Sequence, residues 1–124
     1  MALLLQTGCA LVSMRGDDVD ILKERAQARW EALIKKDWDV AYQYELPAYR
    51  QTHDVSQFRA KFGSKVHWQH IEAKSAAIAQ ENKTADVKLN LAYQLLLADG
   101  VPMENDIEIN ERWVKQEGEW WIAN

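Results

Sequence analysis

Apolar and polar residues alternate along residues 84–97 more strictly than anywhere else in the chain. Ala85, Val87, Leu89, Leu91, Tyr93, Leu95 and Leu97 share one parity, and Asp86, Lys88, Asn90 and Gln94 share the other. A period of two is the mark of a strand with one packed face and one wet face. Residues 103–124 continue the pattern, with Ile107, Ile109, Glu111 and Trp113 on one parity. Glu117-Gly118 then supplies a tight-turn signal, because glycine tolerates the positive φ that two-residue hairpin turns require. Trp120, Trp121 and Ile122 form a second short strand. Three of the six tryptophans fall within nine residues here, too much apolar surface to leave in water.

Upstream the period is 3.6. Val19, Leu22, Ala26, Trp30 and Leu33 step by three or four residues, which predicts a helix over 18–36, with acidic residues at its start. Asp37 is placed to end this helix and cap a short one over 38–45, which Pro47 closes. Asp54 with Gln57 three residues on is a capping-box signature, so a further short helix runs over 55–62 and stops at Gly63. From 66 to 80 the β-formers do not keep one parity. Trp68 and His70 share one face while Ile71, Ala73 and Ala77 share the other, which predicts a bulge or a sharp bend within a long strand. Asn82-Lys83 makes the following turn. Helices first and then an antiparallel meander of three to four strands is an α+β layout.

Composition narrows the function classes. The 124 residues suit one domain, and the net charge of −4 argues against general nucleic-acid binding, which needs a basic surface. No apolar run approaches the length of a membrane-spanning helix. A single cysteine permits no internal disulfide and no cysteine-based zinc site. That cysteine ends the stretch Thr7-Gly8-Cys9 behind Leu3-Leu4-Leu5, which resembles the tail of a bacterial lipoprotein signal peptide. Gln6 stands where leucine is usual, and a positively charged start is missing. The resemblance implies lipidation at Cys9, residues 1–17 as a signal-peptide remnant and tether, and a domain over 18–124. It also implies a place in the bacterial cell envelope, on the periplasmic face of the outer membrane because Ala10 follows the cysteine. Without lipidation the chain is expected in the cytoplasm, and Cys9 is a small buried hydrophobe.

Ala28-Arg29-Trp30-Glu31-Ala32-Leu33, Asp37-Trp38-Asp39 and Ala48-Tyr49-Arg50 at the front carry a second resemblance. Together with Glu111-Arg112-Trp113-Val114 and Glu117-Gly118-Glu119-Trp120-Trp121-Ile122 at the back, they resemble the nuclear transport factor 2-like superfamily of SnoaL-like and other cystatin-like proteins. The resemblance implies a curved antiparallel sheet folded around a long helix into a cone, whose open end is a pocket. Its members include enzymes, binding modules and dimerisation domains.

Parity nominates residues for that pocket. Glu111 shares its face with Ile107, Ile109 and Trp113, so a carboxylate points into an apolar interior, where desolvation favours the neutral acid and suits general acid–base work. The structural alternative is that a bulge turns it outward or that an arginine at the rim pairs with it. Trp30, Tyr49, Trp68, Tyr93 and Trp113 complete the candidate ligand-binding set, although aromatic residues at such spacing more commonly build core. His67 and His70 lie three apart on a strand and point to opposite faces, which discourages a shared metal ion. His70 alone could shuttle protons. The core parity of the sheet thus offers Glu111, Tyr93 and His70, with no second carboxylate and no buried arginine. The expectation is a non-catalytic module that binds a small apolar ligand or an envelope protein, without a cofactor or nucleic acid, as a monomer or weak homodimer. The alternative is a small hydro-lyase or isomerase with Glu111 or His70 as base and Tyr93 as electrophilic donor.

Overall fold

The computed structural model describes the backbone of residues 2–123 and the side chains of residues 17–123. Four helices precede four strands, α1 (Ala2–Ile34), α2 (Trp38–Tyr42), α3 (Pro47–Thr52), α4 (Val55–Ala60), β1 (Val66–Ile78), β2 (Thr84–Leu96), β3 (Pro102–Gln116) and β4 (Glu119–Ile122). The strands form one antiparallel sheet in the order β1-β2-β3-β4, so the α+β meander is as expected. Among the described residues no helix is long and apolar enough to cross a membrane.

Several boundaries differ from the sequence reading. The first helix begins before Asp18. The lipidation expected at Cys9 concerns a side chain outside the described residues. Lys36 ends the helix in the left-handed region at φ 62°, with its N–H donating to Leu33 and that of Asp37 to Ala32, a Schellman closure without glycine. Asp37 occupies the N-cap of α2 as expected but makes no side-chain capping bond. Pro47 does not close a helix; it opens α3, because a proline at the first helical position gives up an N–H that would be orphaned anyway. The capping box of Asp54 and Gln57 is formed in both directions, at 2.8 and 2.9 Å.

Two bulges explain the broken parity of β1. Its pairing with β2 shifts between Trp68 and His70 and again between Ala73 and Ser75. Each shift moves one residue out of phase, so Trp68, Ile71, Ala73, Ala76 and Ile78 all reach the inner face. Gln27 of α1 clamps this edge strand, donating to the Ile71 carbonyl and accepting from the Ala73 N–H, both at 2.8 Å. The inner face is completed by Ala85, Val87, Leu89 and Leu91 of β2, Trp113 of β3, and Trp120 and Ile122 of β4. It packs against Leu22, Ala26, Trp30 and Leu33 of α1. Glu117 and Gly118 turn β3 into β4 with φ of 52° and 81°, the two positive values of a type I′ turn. The far end of the β2–β3 hairpin outruns the helices. Leu96, Met103 and Ile107 are therefore exposed, although Ile107 shares its parity with buried Trp113.

Candidate functional site

Glu111 points inward, as its parity predicts, and is 4% exposed. It is held by three donors. Arg29 Nη1 and Trp30 Nε1 donate to Oε2 at 2.9 and 2.7 Å, and Trp113 Nε1 donates to Oε1 at 3.2 Å. Arg29 reaches a second buried carboxylate, Glu45, at 3.5 Å, and Lys61 Nζ closes the chain 3.6 Å from Glu45. Both residues come from outside the sheet, which corrects the expectation of an interior with no second carboxylate and no buried arginine. Arg29 lies seven residues after Leu22 and three after Ala26, so the helical period itself places it on the apolar stripe. Glu45 carries no periodic signal. It is buried because its segment bridges Ile122 of β4, whose N–H donates to the Tyr44 carbonyl.

This cluster does not include the other expected acid–base groups. Tyr93 is half-buried and paired across the strands with Trp68, and His70 is exposed. Among the described residues neither hydrogen-bonds to Glu111, and no group of three His, Cys, Asp or Glu side chains could hold a metal ion. Three donors take three of the roughly four acceptor sites of this enclosed carboxylate, an arrangement that suits a structural role better than proton transfer. Trp30 and Trp113 turn their indole N–H groups to it and face the cluster.

The space for a ligand lies elsewhere, at the end of α1 against α4 and the start of β1. A cavity of about 420 Å³ opens there. Leu33, Val66, Trp38, Phe62 and Trp68 supply its apolar wall, and Lys36, Arg59 and His67 its charged or ionisable groups. Of the residues nominated from the sequence, Trp68 lines it, whereas Trp30, Tyr49, Tyr93, Glu111 and Trp113 do not. The wall is an aromatic chain. Phe62 meets Trp68 edge to face at 5.7 Å and stacks on Trp38 at 5.6 Å, and Phe58 braces both phenyl and indole from behind. Trp68 in turn meets Trp30 at 5.2 Å. The ion cluster therefore fixes Trp30 by hydrogen bond, and Trp30 fixes the cavity wall by contact. Trp38, which opens α2, and Phe62, in the bend after α4, were missed as site residues, because no local spacing reveals that these segments meet.

Tyr49 stacks on His53 with ring centroids 4.2 Å apart, and Lys61 Nζ stands 4.7 Å from its ring centre. Its hydroxyl is buried with no hydrogen-bond partner among the described residues. Burial pushes the phenol above its ordinary value, and Glu45 and Tyr42 add to the shift. Neutral Tyr49 is common to the folded and unfolded chains below pH ~10, so it costs no pH-linked stability there. As pH rises further the unfolded chain ionises first, and folding stability falls until the raised folded-state value is passed. Tyr49→Phe is expected to remove this alkaline decline. At pH 7 it should be neutral or stabilising by up to about 1 kcal/mol, since an unpaired hydroxyl is lost. Urea titrations at pH 7 and pH 10.5 check both; a variant clearly weaker at pH 7 would mean the hydroxyl has a partner.

No family model matches the chain, and none of the curated proteins matches it. Among solved structures it is similar to the solution structure of a SEC-C motif containing protein from Rhodopseudomonas palustris. The TM-score is 0.61 at 15% identity, over 81% of this chain and 73% of that one. This finding overturns the expected membership of the nuclear transport factor 2-like superfamily, with its SnoaL-like and cystatin-like labels and the lipoprotein and periplasmic labels set beside them. Helix-first order with a closing hairpin is open to many helices packed on an antiparallel meander, so it does not single out one family. At this identity the likeness to the SEC-C motif protein is one of fold alone.

Proposed function

We propose that the chain is a non-catalytic binding module that takes a small, mainly apolar ligand in the cavity between α1, α4 and β1. The observation that carries this reading is the aromatic wall of Trp38, Phe62 and Trp68 around about 420 Å³. Small-molecule sites are concave, mostly apolar and roughly 300–1,000 Å³ in volume. The reading takes the sheet to curve as a cone around α1, with the cavity as its open end. A hydro-lyase or isomerase would need Glu111, Tyr93 or His70 to meet one substrate, and the enclosure of Glu111 by Arg29, Trp30 and Trp113 weighs against it.

The test is binding of the uncharged fluorescent probe N-phenyl-1-naphthylamine. We expect saturable binding that Trp68→Ala weakens about tenfold, the effect of deleting one aromatic wall. Leu96→Ser, at the exposed tip of β2, should leave it unchanged. Absence of saturable binding, or loss of binding in the Leu96 variant, would contradict the proposal.

A further inference from the structure

The charged and ionisable groups of the cavity are all basic. Lys36, Arg59 and His67 line it, and among the described residues no aspartate or glutamate does, in a chain whose net charge is −4. Arg29, Lys61, Lys74, Lys88, Arg112 and Lys115 are engaged in ion pairs, whereas Lys23, Arg25, Lys35, Arg50, Lys65 and Lys83 join none among the described residues but do not line the cavity. Lys36 and Arg59 join no ion pair among the described residues.

Arg59 is also held in place. Arg59 sets its guanidinium 5.8 Å from the centre of the Trp38 ring, an aromatic residue of the cavity wall. A guanidinium over an aromatic ring keeps its in-plane N–H groups for a planar acceptor. Lys36 sits at the left-handed closure of α1, where its own N–H bond to Leu33 and that of Asp37 to Ala32 fix the backbone, and its side chain is exposed. Ser56 and Ser64 add neutral hydroxyl donors to the same lining.

Resting on the cavity reading above, we infer that the ligand is a small amphipathic monoanion, with its apolar body against Trp38, Phe62 and Trp68. Its carboxylate or sulfonate-like group is bound at the mouth by Arg59 and Lys36. The apolar wall supplies affinity and the two cations supply selection, since a neutral analogue leaves both of them without a partner.

The experiment compares 1-anilinonaphthalene-8-sulfonate with its uncharged analogue N-phenyl-1-naphthylamine on the same protein. The sulfonate is expected to bind about tenfold more tightly, the effect of one charge-assisted hydrogen bond. Its affinity should fall as salt is raised, while that of the neutral probe should not. Arg59→Gln and Lys36→Gln should each remove most of the sulfonate's advantage and leave the neutral probe unchanged. Equal affinity for the two probes in the native chain, or parallel losses in the glutamine variants, would overturn the inference while leaving the cavity reading intact. If the uncharged probe shows no saturable binding, the cavity reading itself fails, whatever the sulfonate does. The comparison in the native chain decides the matter even if a variant folds poorly.

Discussion

Glu111→Ala is expected to cost the protein about 3–5 kcal/mol of folding stability, the range for removing one partner of a buried ion pair. The cost arises from what stays behind. Arg29 is 2% exposed and would keep only Glu45, 3.5 Å away, and the Trp30 and Trp113 indoles would each lose their acceptor. Unpaired buried donors each carry a desolvation penalty, so the loss exceeds that of a lost surface pair. Arg29→Met combined with Glu111→Leu should lose much less than the two single changes added together, because well-packed apolar residues replace a buried pair at little net cost. Urea denaturation of the four proteins in this cycle measures the coupling. Additive losses, or a Glu111→Ala variant within about 1 kcal/mol of the native protein, would show that the cluster is not a cooperative unit.

Trp113→Ala should be comparably severe. Its side chain is fully buried, with the Tyr44 ring 6.5 Å away and Ala85 and Ile122 beside it across the strands. Emptying a site of this size costs about 3–5 kcal/mol, because the neighbouring strands cannot close around the gap. Trp113→Phe separates packing from hydrogen bonding. It keeps most of the apolar body and deletes only the donor to Glu111, so a loss of about 1–2 kcal/mol is expected. Thermal and urea midpoints of the two variants make the comparison. A phenylalanine variant as damaged as the alanine one would assign the stability to the 3.2 Å indole–carboxylate bond instead of to the packing.

The parts of this fold that were legible are those set by local chemistry. Strict alternation in β2 and β3 gave both strands and the inward aim of Glu111, since a strand's side chains can face only two ways. The broken parity after Val66 gave a bulge, and the structure has two. Asp54 and Gln57 gave a helix start, and Glu117-Gly118 a turn. Arg29 stands at core spacing on α1, but the sequence reading looked for charge only on the sheet and expected no buried arginine, so its burial was missed. Proline at 47 is compatible with a helix stop or a first helical residue; the sequence reading took the first and the structure has the second. The burial of Glu45 and the meeting of Trp38, Phe62 and Trp68 depend on contacts between distant segments. Periodicity holds no information on such contacts. The family resemblance failed for the converse reason: it rested on element order, which many α+β folds share.

We propose that the cavity of Trp38, Phe62 and Trp68 is the working site and that the buried cluster around Glu111 braces it. The chain's six tryptophans give six indole N–H signals in a proton–nitrogen correlation spectrum, which report both regions at once. On titration with N-phenyl-1-naphthylamine, the Trp38 and Trp68 signals should move most. Trp30 should move slightly through its 5.2 Å contact with Trp68. Trp113, bonded to Glu111, and Trp120 and Trp121 on β4 should hold still. Shifts confined to Trp120 and Trp121, or a saturating titration that leaves Trp68 unmoved, would contradict the account.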